Sequence, residues 1–312
     1  MSEFHQPVLV KQVQKFLGEI EGPLLDGTIG GGGHSRRLLE INEKIQIIGI
    51  DRDPQALQET EKNLENWKDR VKLYQGNFKD FPGFMERAGV SKLGGALLDL
   101  GLSSHQLNSP ERGFSYHYDG PLDMRMDPRE KTTAAELLNQ LSVPELARIF
   151  KEYGEERWAR KIARALVRER KNNRIKTTQQ LTRLIEGVVP YDPGGHPARR
   201  VFQALRIAVN EELKDLGLTI ERLVDYLLPR GRIAIITFHS LEDRVIKKIF
   251  RDLSQCNCPR DLPCVCSGPR AKVLTRKPIQ PDQEELAKNR RARSSKLRVA
   301  EKLESGKGKE EK

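Results

Sequence analysis

Short apolar runs, each closed by an acidic residue or a glycine and separated by helix-period segments, fill the first hundred residues. PLLDG (23–27), IQIIGID (45–51), VKLYQGNF (71–78) and GGALLDLG (94–101) read as strands, with helices expected from His34 to about Asn42 and over residues 54–66. That alternation predicts βαβ units wound around a parallel sheet. After Gly101 the period disappears. Residues 108–130, NSPERGFSYHYDGPLDMRMDPRE, are rich in proline, glycine and aromatics, a composition that marks a functional loop rather than a connector. Three helix-start signatures follow, Thr133 with Glu136, Ser142 with Glu145 and Thr177 with Gln180, each pairing a hydroxyl with a side chain able to reach back to the cap. The α/β pattern resumes with helices over roughly 201–213 and 219–228, then the strand RIAIITFHS entered through a turn LLPRG (227–231). Strand character returns near VLTRKP and SSKLRVAE, and the polar tail from Glu304 reads as frayed. The expected organisation is one discontinuous α/β domain, residues 1–107 and 206–312, interrupted by a helical substrate-recognition insertion over 108–205.

Composition narrows the partners. Among 312 residues, 55 Lys and Arg outnumber 44 Asp and Glu, for a net charge of +11, which favours a polyanion such as nucleic acid. The N-terminal MSEFHQPVLVKQVQKFL lacks the unbroken apolar segment of a signal peptide, and no run is long enough to span a bilayer, so a cytoplasmic protein without a membrane partner is expected. All four cysteines lie in CNCPRDLPCVC, and in a reducing compartment such clustering suggests metal ligation before disulfides. Cys256, Cys258, Cys264 and Cys266 can in principle wrap one structural zinc as four thiolates, with free thiols as the alternative.

The candidate chemistry begins at DGTIGGGGHS (26–35), behind the first strand, where ligands of open α/β sheets sit and where glycine allows close backbone approach. Asp51 closes the second strand, placed to accept both hydroxyls of a ribose. Asp26 argues against a dinucleotide, because a carboxylate there repels a pyrophosphate, whereas it favours the ammonium of an amino-acid moiety. The pair therefore points to S-adenosylmethionine rather than NAD.

The motifs HQPVLV, LDGTIGGGGHS, GIDRDPQAL, LLDLGLSSHQL, FSYHYDGPLDMRMD, VFQALRIAVNEEL, FHSLEDRVIKKIF and ARSSKLRVAE occur in that order over nearly the whole chain. The sequence resembles the MraW/RsmH family of bacterial 16S rRNA (cytosine-N4)-methyltransferases. The resemblance implies a Rossmann-like class I methyltransferase domain with an all-helical insertion, methylating the exocyclic amine of a cytidine in the decoding centre of the small ribosomal subunit. It implies a cofactor pocket of Gly32, Gly33, His34, Asp51, Phe78, Asp99 and Gln106, joined to Asp26 from the residue reading. Phe78 is expected at the end of the third strand, able to cover the adenine, with a plain core aromatic as the alternative.

An exocyclic amine conjugated to its ring is a weak nucleophile, so transfer needs acceptors that hold its N–H groups and in-line alignment with the methyl. Asp99 is the expected acceptor, with His239 as a second candidate whose alternative is a helix-start role beside Ser240 and Asp243. In the insertion, Arg157, Lys161, Arg164, Arg168 and Lys171 recur at helical spacing, with Trp158, Ile162 and Leu166 on another face, as for a helix that packs on one side and meets phosphate on the other, the alternative being an ordinary solvated face paired with Glu155, Glu156 and Glu169. Phe114, Tyr116 or Tyr118 could stack an extruded cytosine, with Arg112 and Arg125 on the RNA backbone and Met124 and Met126 packing the loop down. Competing readings are a non-catalytic RNA-binding assembly factor, a DNA amino-methyltransferase, disfavoured by DLGLSS where that class carries D/N/S-P-P-Y/F, and a dehydrogenase. The sequence leaves a homodimer open.

Overall fold

A computed structural model describes residues 7–190, 195–256 and 268–304. The chain divides into two compact units, Met1–Gly101 with Asp215–Lys312, and Leu102–Lys214.

The first unit is built on a seven-stranded sheet: β1 Leu24–Asp26, β2 Ile47–Asp51, β3 Val71–Gln75, β4 Leu93–Asp99, β5 Leu227–Thr237, β6 Ala271–Val273 and β7 Lys296–Lys302, in spatial order β3-β2-β1-β4-β5-β7-β6. Strands β1 to β5 are parallel, and β7 runs antiparallel to both β5 and β6. Helices α1 Val10–Leu17, α2 Gly33–Ile41, α3 Pro54–Asn63 and α4 Phe81–Ala88 precede the break, and α11 Leu216–Tyr226, α12 Ser240–Leu253 and α13 Gln283–Lys288 follow it. A parallel sheet covered by helices must be apolar on both faces, which is why β4 and β2 read as unbroken apolar runs. One core joins Leu17 of α1, Leu38 of α2 and Leu57 of α3 to Leu24, Ile47, Leu97, Ile236 and Val299 of the strands. The chain steps outward from β1 to β2 and β3, then crosses to β4 on the other side. That reversal opens a crevice at the carboxyl ends of β1 and β4.

Some expectations shift. The segment LLPRG is part of β5 rather than a turn before it: Leu227 pairs with Leu93 and Arg232 with Gly95, so three extra residues bulge between two paired points, with Arg230 at φ 63°. Proline within a ladder is tolerated at such a bulge because its missing N–H is not needed there. The helix over 54–66 stops at Asn63 and gives way to a 3₁₀ turn, Glu65–Arg70. Helices α1 and α4 were not expected.

The second unit is helical: α5 Ser104–Asn108, α6 Ala134–Gln140, α7 Val143–Gly154, α8 Ala159–Glu169, α9 Thr178–Glu186 and α10 Arg199–Asn210. All three expected capping boxes form, at Thr133, Ser142 and Thr177. Phe150, Ile162, Leu166, Leu181, Ile185 and Leu205 are buried in its core. The boundaries are wider than 108–205, because Leu102 and Leu107 at one end and Val201 to Val209 of α10 at the other pack on this same core. A helix that buries one continuous face cannot be divided between two cores. The aperiodic loop is ordered by polar side chains. Asn210 donates to the Met124 carbonyl (2.7 Å) and accepts from the Met126 N–H (2.7 Å), fixing buried Met124 at φ 64°. Among the described residues no helix is long and apolar enough to cross a membrane.

Candidate active site

The carboxyl ends of β1, β2 and β4 deliver Asp26, Asp51 and Asp99 around the glycine loop. The loop takes its shape from φ values that only glycine adopts without strain, 55° at Gly30 and 77° at Gly32, which starts α2. Its carbonyls are tied back to α3: Thr60 Oγ1 donates to the Gly30 oxygen and Asn63 Nδ2 to the Gly31 oxygen (2.9 Å). Gly27 has no room for a side chain, since a Cβ there would lie 2.5 Å from Leu98 Cδ2 and 2.9 Å from Phe78 Cβ.

Hydrogen bonds hold the Asp26 and Asp51 carboxylates in defined orientations. Asp26 is buried; its Oδ2 accepts from Ser35 Oγ at 2.6 Å and its Oδ1 from the Thr28 N–H at 3.4 Å. Asp51 accepts from the Gly30 N–H (2.8 Å) through one oxygen and from the Asp53 N–H (2.9 Å) through the other. A carboxylate has about four acceptor sites, so two backbone donors leave capacity for two ribose hydroxyls. The Asp99 N–H donates to Thr28 Oγ1 at 2.6 Å, and its Oδ2 lies 3.7 Å from His34 Nε2, with both side chains buried. Burial raises Asp26 to about 7 against the lowering effect of Ser35 and Thr28, with Asp99 and Asp51 adding repulsion. Burial likewise raises Asp51 to about 6. Carboxylates that are costly to ionise in the empty site become favourable once a cation arrives.

Phe78 begins a 3₁₀ turn, Phe78–Asp80, beyond the end of β3 rather than on the strand, and packs against Gly27 as part of the core under the loop. His239 is the N-cap of α12. Its Nδ1 accepts from the Glu242 N–H, its Nε2 lies 3.1 Å from Glu242 Oε1, and Glu242 in turn accepts from the Phe238 N–H. The helix-start alternative therefore describes this residue, with His239 and Glu242 as the pair in place of Ser240 and Asp243. Gln106 belongs to the second unit, where it is buried in the capping box of α5: its Oε1 accepts from the Ser103 N–H and its own N–H donates to Ser103 Oγ.

In the second unit, Arg112 and Arg125 have guanidinium groups engaged inside the loop. Arg112 donates to the Arg125 and Met126 carbonyls. Arg125 forms a bidentate pair with Asp123 and donates to the Pro128 and Glu130 carbonyls. Phe114 is buried, Tyr116 stacks on His196 with ring centroids 4.6 Å apart, and Tyr118 is 52% exposed. On α8 and its entry, Ile162 and Leu166 are buried, Arg157, Lys161, Arg164 and Arg168 are exposed, and Arg157 and Lys161 lie over the Trp158 ring. Lys171 falls beyond the end of the helix. Cys256 is exposed, and Cys258, Cys264 and Cys266 lie outside the described residues.

Sequence reading missed Thr28, Ser35, Thr60 and Asn63, which shape the loop and aim its carboxylates. Thr28 and Ser35 stand inside the glycine motif, but Thr60 and Asn63 are contributed by a helix some thirty residues on, and no local pattern signals them.

The model of the MraW methylase family matches residues 2–303. The chain is 48% identical over 307 residues to the ribosomal RNA small subunit methyltransferase H of Halothermothrix orenii, covering 96% of this chain and 98% of that protein. It is 47% identical over 311 residues to the protein of the same name from Geobacter sulfurreducens, covering 97% of this chain and all of that one.

Proposed function

The chain belongs to the MraW methylase family, and we propose that it is an S-adenosylmethionine-dependent methyltransferase of small-subunit ribosomal RNA, acting on the exocyclic N4 amine of a cytidine in the decoding centre. The observation that carries this reading is the set of three carboxylates, Asp26, Asp51 and Asp99, around a glycine loop. Two of them are held near neutrality by burial, at about 7 and about 6. Such a site is matched to a ligand with positive charge and a ribose, and is mismatched to the pyrophosphate of a dinucleotide.

When bound, S-adenosylmethionine supplies an electrophilic methyl group on a positively charged sulfur. Asp26 balances the ammonium of its amino-acid portion, with Ser35 and Thr28 fixing the carboxylate. Asp51 accepts from the ribose hydroxyls, and the tied-back glycine loop lets the cofactor lie against backbone. Asp99 accepts an N–H of the cytosine amine and so restores electron density to nitrogen as its lone pair forms the new bond to carbon. The proton that the methylated nitrogen must lose would pass to Asp99 and from there to water. His239 caps α12 through its Nδ1, so the acceptor role is assigned to Asp99. A structural zinc on Cys256, Cys258, Cys264 and Cys266 plays no part in this chemistry, and elemental analysis of the purified protein tests it directly.

The experiment is transfer of tritiated methyl from S-adenosylmethionine to small-subunit rRNA, followed by nucleoside digestion and mass mapping. N4-methylcytidine at one position is expected. Asp99→Ala should abolish transfer while preserving rRNA affinity. Label on another atom, or unchanged turnover in Asp99→Ala, would refute the reading.

A further inference from the structure

A cleft of about 770 Å³ opens in the helical unit between α7 and α8. Its apolar lining is Val143, Pro144, Ala147 and Ala159, with Ala147 and Ala159 buried at its floor. Its walls carry Arg148 and Lys151 from α7 and Arg157, Arg160 and Arg164 from α8 and its entry, against the carboxylates of Glu152 and Glu156. Glu156 is buried and accepts from the Trp158 N–H at 2.8 Å, so its charge is turned toward the start of α8. The five cationic side chains are exposed. Among the described residues, no ion pair engages Lys151, Arg160 or Arg164.

Like-charged side chains on both walls of one concave surface repel each other only weakly while exposed, but together they raise the local potential, which favours an anion shared between the walls. The anion must also suit the floor. A free phosphate leaves the apolar lining uncovered, and a duplex is too wide and too regular to enter a cleft of this volume. A single strand answers both features, with phosphates on the arginine and lysine walls and a sugar or splayed base lying on the alanine, valine and proline lining.

We propose that the α7–α8 cleft binds a single-stranded segment of the RNA substrate, so that Arg157 and Arg164 of the α8 stripe act with the α7 wall of this cleft and not with Lys161 and Arg168. Arg148, Lys151 and Arg160 belong to it, whereas Lys161 and Arg168 lie outside it. The inference rests on the reading of the protein as an RNA methyltransferase, because that reading supplies the polyanion.

The test uses the full-length protein and two fluorescent probes, a mixed-sequence 12-nucleotide single-stranded RNA and the same strand in duplex, with binding measured against salt concentration. A triple variant, Arg148→Ala, Lys151→Ala, Arg160→Ala, is compared with a control, Lys161→Ala, Arg168→Ala. Each lost phosphate contact lowers the slope of log affinity against log salt by about 0.7 for a single strand, so the triple variant should lose about 2 units of slope and bind about tenfold more weakly or worse. The control should keep the wild-type slope, and Arg148→Lys, Arg160→Lys should keep both slope and affinity. All substituted positions are exposed, and an unchanged melting temperature certifies the fold. A wild-type slope in the triple variant, an equal loss in the control, or an equal loss of duplex binding overturns the assignment. Wild-type protein that transfers no methyl to rRNA refutes the functional reading instead, and wild-type catalysis alongside an unaltered slope in the triple variant refutes only the cleft.

Discussion

Replacing Asp26 by asparagine should make the protein more stable and nearly unable to bind its cofactor. In the folded protein the Asp26 carboxyl is raised from 3.8 to about 7, chiefly by burial, with Ser35 and Thr28 opposing. At about 1.4 kcal/mol per unit, keeping it ionised above neutral pH costs up to roughly 4 kcal/mol of stability. Asparagine is uncharged throughout, but its amide cannot accept from both Ser35 and Thr28, and a mismatched buried hydrogen bond costs about 1–2 kcal/mol. The net gain should be about 1–3 kcal/mol at pH 8, and each kcal/mol should raise the melting temperature by about 2–4 °C. A carboxyl whose pKa is higher in the folded than in the unfolded state binds extra protons when folded, so its cost is absent near pH 4, grows as pH rises, and is complete above about 7. Thermal unfolding of both proteins without cofactor, from pH 4 to pH 8, measures this directly. Calorimetry with S-adenosylmethionine should show at least about tenfold weaker binding in Asp26→Asn, since a charge-assisted interaction is lost. An advantage for the variant at pH 4 that vanishes at pH 8 would refute the burial argument, and undiminished affinity would remove Asp26 from the cofactor site.

In the wild-type protein, affinity for S-adenosylmethionine should rise with pH between about 5 and 8, because Asp26 and Asp51 ionise near 7 and 6 in the unliganded site and a cationic ligand selects their ionised forms; a flat calorimetric profile contradicts this. His239→Asn should retain most turnover, asparagine being a competent N-cap, with Glu242→Ala more damaging to melting temperature than to transfer rate. The Asp243 carboxylate is held below the usual range by its hydrogen bond to buried Arg298, 2.6 Å away, despite partial burial. Arg298→Met should cost about 3 kcal/mol in urea unfolding at pH 7, and less as pH falls through the folded pKa of Asp243. Gly27→Ala should weaken both stability and cofactor binding, since its methyl group meets Leu98 and Phe78 at 2.5 and 2.9 Å; an alanine variant with wild-type melting temperature would show that the loop can give way.

The alternation of apolar runs and helical segments was enough to predict the parallel sheet, because strands buried on both faces leave unbroken apolar stretches that few other environments require. The three capping boxes were equally readable, each being a local bargain between two residues three apart. Asp26, Asp51 and the glycines were legible as a candidate cofactor site because strand ends and tight turns are themselves local features. What lay outside local reach was decided by packing. The loop is shaped by Thr60 and Asn63 of a helix far along the chain, and the helical unit claims α10 because its face completes that core. Arg112 and Arg125 looked like RNA contacts, and the fold spends their donors on its own carbonyls. Residue types and short spacings determine which chemistry is available. Only tertiary structure decides which polar groups are consumed in satisfying the protein itself, because a buried donor or acceptor must find a partner wherever in the chain one lies.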